Sequence, residues 1–163
     1  MIRRYLLLAP NPTYIETNLD MGSGLYVDTS VLTAYYCPEA ASEAAQKLIV
    51  AHAKPSVSWL TGIEIMSALS RKVREKGLVR RDAERIATLY REHVTQGHYN
   101  LLPLDGADIE WAASRIARFD SSLRTLDALH LAIALRESLA LATADRGLAD
   151  AAKKLGMKVM FVR

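Results

Sequence analysis

The 163-residue chain carries a single cysteine, Cys37. One thiol excludes an internal disulfide framework and a cysteine-based zinc cluster, and it suits a reducing cytoplasm. Long apolar runs are also missing. No stretch approaches the roughly 20 apolar residues of a membrane-spanning helix. The short run Tyr5-Leu6-Leu7-Leu8-Ala9 lies at the lower limit of a signal-peptide core, and Pro10 and Pro12 cut it. Charge of one sign is scarce: 21 basic and 18 acidic residues leave a net +3. That excludes a highly basic nucleic-acid tail and leaves only a weak pull toward an anionic partner. There is no GxxxxGK followed by Ser or Thr and no GxGxxG, so neither phosphate-cradling loop is supported. Internal repeats and low-complexity tracts are absent as well.

What remains is a chain of 50% hydrophobic and 24% charged residues, an ordinary globular balance. Its length allows one domain with a real core but not comfortably two. Residues 1–20 differ from the rest and read as an appendage. Met21, just before Gly22-Ser23-Gly24, reads as an alternative start, and 21–163 as one domain. Short apolar segments alternate with helical patterns from there on. Leu25-Tyr26-Val27, Ser56-Val57-Ser58, Asn100 to Leu104, Leu141-Ala142-Thr143 and Met157 to Val162 read as strands. Helices are expected over Ser30 to Tyr36, from Pro38 as a first helical residue to His52, Trp59 to Lys76, Arg81 to Gln96, Asp105 to Phe119, Thr125 to Ser138 and Asp145 to Leu155. This order argues for an α/β fold with a parallel sheet between helical layers.

In such a sheet, ligands bind beyond the carboxyl ends of the strands. Asp28 follows the first strand and Asp145 the fourth. Each is also a natural N-cap of the helix that follows, and sequence alone leaves both roles open. Asp127 lies in Thr125-Leu126-Asp127-Ala128-Leu129-His130-Leu131-Ala132-Ile133, apolar nearly all round. A buried carboxylate there needs a cation or donors. Arg124 and the positive end of the helix dipole are local answers. Glu64 lies in Trp59-Leu60-Thr61-Gly62-Ile63-Glu64-Ile65-Met66-Ser67-Ala68-Leu69. At 100° per residue Trp59, Ile63, Met66 and Val73 share one face, and Glu64 falls opposite with Leu60, Ala68 and Arg71. That second face is either solvated or one wall of a groove that admits a phosphate chain. Taken together, four acids at strand ends and in apolar helices suggest an oxygen-donor site for Mg²⁺ or Mn²⁺. Such ions catalyse phosphodiester hydrolysis by activating water.

These segments resemble the PIN-domain ribonucleases. Leu25-Tyr26-Val27-Asp28-Thr29-Ser30-Val31-Leu32 is similar to that family's opening strand motif, and Glu64 in its helix to the family's helical glutamate. Leu126-Asp127-Ala128-Leu129-His130-Leu131-Ala132 is similar to the third acidic motif, and Leu141-Ala142-Thr143-Ala144-Asp145-Arg146-Gly147-Leu148 to the fourth. Order and separation fit from about Leu25 to Val162, and residues 1–20 have no counterpart. Within the family, the compact single-domain form is most similar to the VapC toxins of type II toxin–antitoxin pairs.

The resemblance implies a three-layer α/β/α sandwich with a short, mostly parallel central sheet. It implies that Asp28, Glu64, Asp127 and Asp145 converge as the catalytic acids and hold Mg²⁺ or Mn²⁺. Asp28 and Asp127 would be direct ligands, with Glu64 and Asp145 acting directly or through metal-bound waters. Ser30 and Thr143 would orient a carboxylate or a water. The reaction would be endonucleolytic RNA hydrolysis in the cytoplasm, with a VapB-type antitoxin as inhibitor, a homodimer as the usual assembly and no membrane partner.

Other readings stand beside these. His130 reads as a satisfied core imidazole, and His52, His93 and His98 lack ligand spacing. Arg71, Lys72, Arg74, Lys76, Arg80 and Arg81 form either a phosphate grip or one charged, solvated hairpin with Glu75, Asp82 and Glu84. Tyr35, Tyr36, Trp59 and Tyr99 are candidates for stacking on RNA bases. A catalytically idle binding protein of the same fold is the main alternative. A phosphatase using Asp28 as nucleophile fits less well, because Asp28-Thr29-Ser30 lacks the second acid of an Asp-x-Asp motif.

Overall fold

The computed structural model describes residues 24–120 and 122–163; the segment 1–20 lies outside them. Five strands form one parallel sheet: β1 (Leu25–Val27), β2 (Ser56–Ser58), β3 (Asn100–Leu102), β4 (Ala140–Thr143) and β5 (Val159–Phe161), in the order β3-β2-β1-β4-β5. The helices are α1 (Thr29–Tyr36), α2 (Ser42–Ala51), α3 (Trp59–Arg74), α4 (Arg80–Thr95), α5 (Gly106–Ile116), α6 (Thr125–Arg136) and α7 (Arg146–Lys154).

The three layers follow from strand alternation. Successive side chains of a strand point to opposite faces. Leu25 and Val27 join Val57, Ala140 and Ala142 in one core, packed with Leu32, Ile49, Ile65 and Ile86. Tyr26 and Leu141 point the other way and pack with Leu131, Ile133 and Leu148. Helices α1 to α4 therefore cover one face, and α6 and α7 the other. A sheet buried on both faces leaves its inner strands no solvent-facing side, and β1, β2 and β4 are buried throughout. The expected α/β/α sandwich is the observed fold, with a sheet that is wholly parallel.

One local expectation needs correction, and one open reading of a helix face is decided. The helix expected from Pro38 begins at Ser42 instead. Cys37, preceding a proline, is extended at φ −111°, ψ 145°. The Ser42 hydroxyl donates to the Cys37 carbonyl at 2.9 Å and accepts from the Glu39 amide at 2.8 Å, which ties residues 37–41 into a turn. In α3, Trp59 and Ile63 are 62% and 71% exposed, whereas Leu60, Thr61, Ile65 and Leu69 are buried. The apolar face is thus rotated toward Leu60, which carries Glu64 away from open solvent. The capping box of Ser58 and Thr61 fixes this rotation by tying the first turn to the end of β2.

Candidate active site

Chain order reverses across the sheet between β1 and β4, and a crevice opens at their carboxyl ends. Asp28 and Asp145 lie there, each as an N-cap: Asp28 Oδ1 accepts from the Val31 amide at 3.2 Å and Asp145 Oδ1 from the Leu148 amide at 2.9 Å. Capping therefore does not remove them from the crevice. One groove of about 530 Å³ is lined by Asp28, Glu64, Asp127 and Asp145 together. Asp127 reaches it from the first turn of α6, Glu64 from α3.

Asp28 is 3% exposed and is held from both strand ends. The Ser30 hydroxyl donates to Oδ1 at 2.6 Å and the Thr143 hydroxyl to Oδ2 at 2.7 Å. Both hydroxyls are themselves anchored. Ser30 Oγ accepts from the Ala144 amide at 2.8 Å, and Thr143 Oγ1 accepts from the Asp145 amide at 2.9 Å. The two strand ends are stitched together through the carboxylate they present.

Glu64 is held by residues that sequence reasoning missed or gave a bland role. Its Oε2 accepts from the Thr29 hydroxyl and lies against His130 Nε2, each at 2.6 Å. A carboxylate only accepts, so Nε2 carries the hydrogen. His130 Nδ1 lies 2.7 Å from the buried Tyr26 hydroxyl, which also meets Ser58 Oγ at 2.8 Å. A chain Ser58–Tyr26–His130–Glu64 thus runs from beneath the sheet into the groove. His130 is a satisfied core imidazole, yet the group satisfying it is Glu64. One signal was available: Tyr26, at the centre of a buried strand, brings a hydroxyl that needs a partner.

The electrostatics are uneven. Burial pushes the Asp28 carboxyl above its ordinary range, against the lowering influence of His130, Ser30, Thr143 and the Val31 amide. Burial and then the neighbouring Asp145 raise Asp127. Burial pushes Glu64 up too, but the hydrogen bond and electrostatic influence of His130, with the Thr29 hydroxyl, outweigh it and hold this carboxyl low. Two of these acids therefore resist ionising until a cation compensates them.

The donor set is all oxygen and suits a hard divalent cation. Among the described residues, no three acidic, histidine or cysteine side chains stand as a group able to hold one ion. The tight convergence implied by the resemblance is relaxed into a lined groove. Ser30 and Thr143 engage both oxygens of Asp28, and His130 engages Oε2 of Glu64. Water would complete any ligation, as Mg²⁺ commonly requires.

Of the six basic candidates, Arg71 lines this groove, beside Glu64 and Ala68. Lys72 pairs with Glu39 at 2.6 Å, and Arg74 donates to Ser70 at 2.8 Å. Lys76, Arg80 and Arg81 are exposed but are not part of the groove's lining. Tyr35, Tyr36 and Tyr99 are core residues and present no ring for stacking; Trp59 is exposed.

Comparison with known proteins agrees with the geometry. The PIN domain family model matches residues 25–154. Ribonuclease VapC46 of Mycobacterium tuberculosis (strain ATCC 25618 / H37Rv) is 32% identical over 141 residues, covering 85% of this chain and 97% of that one. Among solved structures, the Sarcin-Ricin loop cleaving toxin VapC20 of Mycobacterium tuberculosis aligns with a TM-score of 0.63 and 18% identity over 78% of this chain and 95% of that one. A toxin–antitoxin complex from Klebsiella pneumoniae aligns at 0.53 and 20% identity, covering 78% of this chain and 91% of the other. The chain belongs to the PIN domain family.

Proposed function

We propose that this protein is a metal-dependent endoribonuclease and the toxin of a type II toxin–antitoxin pair. The observation that carries the reading is the single groove where Asp28, Glu64, Asp127 and Asp145 meet at the β1/β4 switch point. The 32% identity to a ribonuclease over most of both chains supports the activity. Asp28 and Asp127 would hold Mg²⁺ or Mn²⁺ directly, with Glu64 and Asp145 acting directly or through metal-bound waters. When bound, the ion supplies Lewis acidity and a water of lowered pKa.

The protein's own residues do the rest. Ser30 and Thr143 fix the plane of the Asp28 carboxylate. Thr29 and His130 hold Glu64, a residue of the groove lining, through its Oε2. Arg71, on the groove wall, offers a guanidinium to the substrate's phosphate chain.

A VapB-type antitoxin is the proposed partner, in keeping with the fold shared with the Klebsiella toxin–antitoxin complex. A homodimer is the proposed assembly; the exposed Trp59 and Ile63, one turn apart on α3, support an apolar contact there. The proposed setting is the cytoplasm, where the lone, buried Cys37 would stay reduced. Among the described residues no helix is long and apolar enough to cross a membrane.

The test is cleavage of RNA by purified protein with Mn²⁺ or Mg²⁺. Chelator and Asp28→Asn should each abolish it. Cutting that survives both refutes the metal mechanism. Mn²⁺ at a hundred times its dissociation constant should also stabilise the fold by about 2.7 kcal/mol, and Asp28→Asn should remove that gain.

A further inference from the structure

The acidic groove does not end at Asp127 and Asp145. Both residues also line a second cavity, of about 430 Å³, between the segment leading into α6 and the helix α7. Its walls carry three cations that no motif singled out: Arg115 from α5, Arg124 just before α6 and Lys154 at the end of α7. Arg115 is engaged by Asp120 at 3.0 Å. Arg124 and Lys154 are exposed and carry no ion pair within 4.0 Å among the described residues. One further acid, Asp150, lines the same cavity.

The shared acids join two cavities that each carry cations: Arg71 in the first, Arg124 and Lys154 in the second. A polyanion lying over the acids and into both cavities meets cations in each. The second cavity lies in the size range of small-ligand pockets, roughly 300–1,000 Å³, which suits one nucleotide unit and not a duplex. Gly147 lines it beside Asp145, and an added Cβ there would crowd Asp145 Oδ1 at 3.2 Å.

Resting on the ribonuclease reading, we infer that this second cavity is a subsite for the substrate strand. Arg124 and Lys154 are its phosphate-binding residues, and the substrate is single-stranded RNA that spans both cavities across the acids. The six-residue basic hairpin is then secondary, with Arg71 as its one contribution.

The experiment uses the full chain in chelator, so that RNA is bound without being cut. A fluorescent single-stranded RNA of a dozen or so nucleotides is titrated at several salt concentrations. Each phosphate contact contributes a slope of about −0.7 in log K against log salt for a single strand. Arg124→Gln with Lys154→Gln should therefore flatten the slope by about 1.4 and weaken binding tenfold or more at low salt. Arg124→Lys should keep the slope, since it keeps the charge. Lys47→Gln, at an exposed lysine of α2 that pairs with Glu43 and lines neither cavity, is the control. An unchanged slope in the double variant overturns the inference, and so does wild-type protein that binds no RNA. Cutting of RNA with an unchanged slope removes this subsite and leaves the ribonuclease reading intact. A flattened slope without any cutting in Mn²⁺ does the reverse.

Discussion

Tyr26→Phe should lower stability and loosen Glu64, although the two residues do not touch. The side chain is fully buried and the change removes only the hydroxyl. Ser58 Oγ loses one partner and keeps the Thr61 hydroxyl at 3.2 Å. His130 Nδ1 loses the Tyr26 hydroxyl, its partner at 2.7 Å, in a residue that is 3% exposed. A buried polar atom left unsatisfied costs about 1–3 kcal/mol. For a chain of this size, each kcal/mol moves the melting temperature by about 2–4 °C, so a fall of roughly 2–12 °C is expected. Thermal denaturation without metal reads this directly.

The more searching readout is coupling. Glu64→Gln alone disturbs one end of the chain and Tyr26→Phe the other. If His130 connects them, the double variant should depart from additivity by at least about 0.5 kcal/mol. The Mn²⁺ affinity of Tyr26→Phe should fall on the order of tenfold, as for lost outer-shell partners of a metal site. Additive effects, or a melting temperature within about 2 °C of wild type, would show that His130 is mere packing and refute the relay.

Three more outcomes follow from the same geometry. Thr143→Val keeps the shape but strips the donor to Asp28 and the acceptor of the Asp145 amide; a loss of about 1–3 kcal/mol should appear in denaturant melts, and a loss no larger than a surface substitution's would contradict the stitching. Asp28 and Asp127 are both raised in the folded protein, so their contribution to metal-free stability is complete below the ordinary carboxylate range and is lost as pH climbs through the raised values. Glu64, held low, behaves oppositely and loses its contribution as pH falls through its depressed value. Asp28→Asn should therefore gain on wild type as pH rises from acid toward neutral, and a pH-independent gap between the two melting curves would sink this account. Arg136 grips the buried Asp108 at 2.9 and 3.1 Å and the Pro103 carbonyl at 2.9 Å; Asp108 keeps the Asp105 amide at 3.0 Å without it, so Arg136→Met should cost about 1.5–3 kcal/mol, the range for hydrogen bonds to a charged group, and a calorimetric loss under about 1 kcal/mol would reduce the clamp to a surface pair.

Much of this protein was legible in its residues. The strands could be read because a sheet buried on both faces demands short apolar runs, and Leu25-Tyr26-Val27 and Leu141-Ala142-Thr143 are such runs. The acids could be read because each stands beside such a run or inside an apolar helix, where an ionised group needs a reason. The start of α2 was misplaced, because a proline permits a first helical turn without requiring one. Which face of α3 is buried stays open in the sequence, because Trp59 and Ile63 suit core and surface alike until the capping box at Ser58 sets the rotation.

Sequence by itself determined the order of the elements and the parallel class of the sheet, and it nominated the four acids, since local pattern and burial cost act residue by residue. Tertiary structure alone decided what surrounds those acids. Tyr26 and His130 are 104 positions apart when they bond, and Arg124 and Lys154 line one cavity because α6 and α7 cover the same face of the sheet. Contacts of that kind are chosen by the packing of whole layers, and no local spacing encodes them.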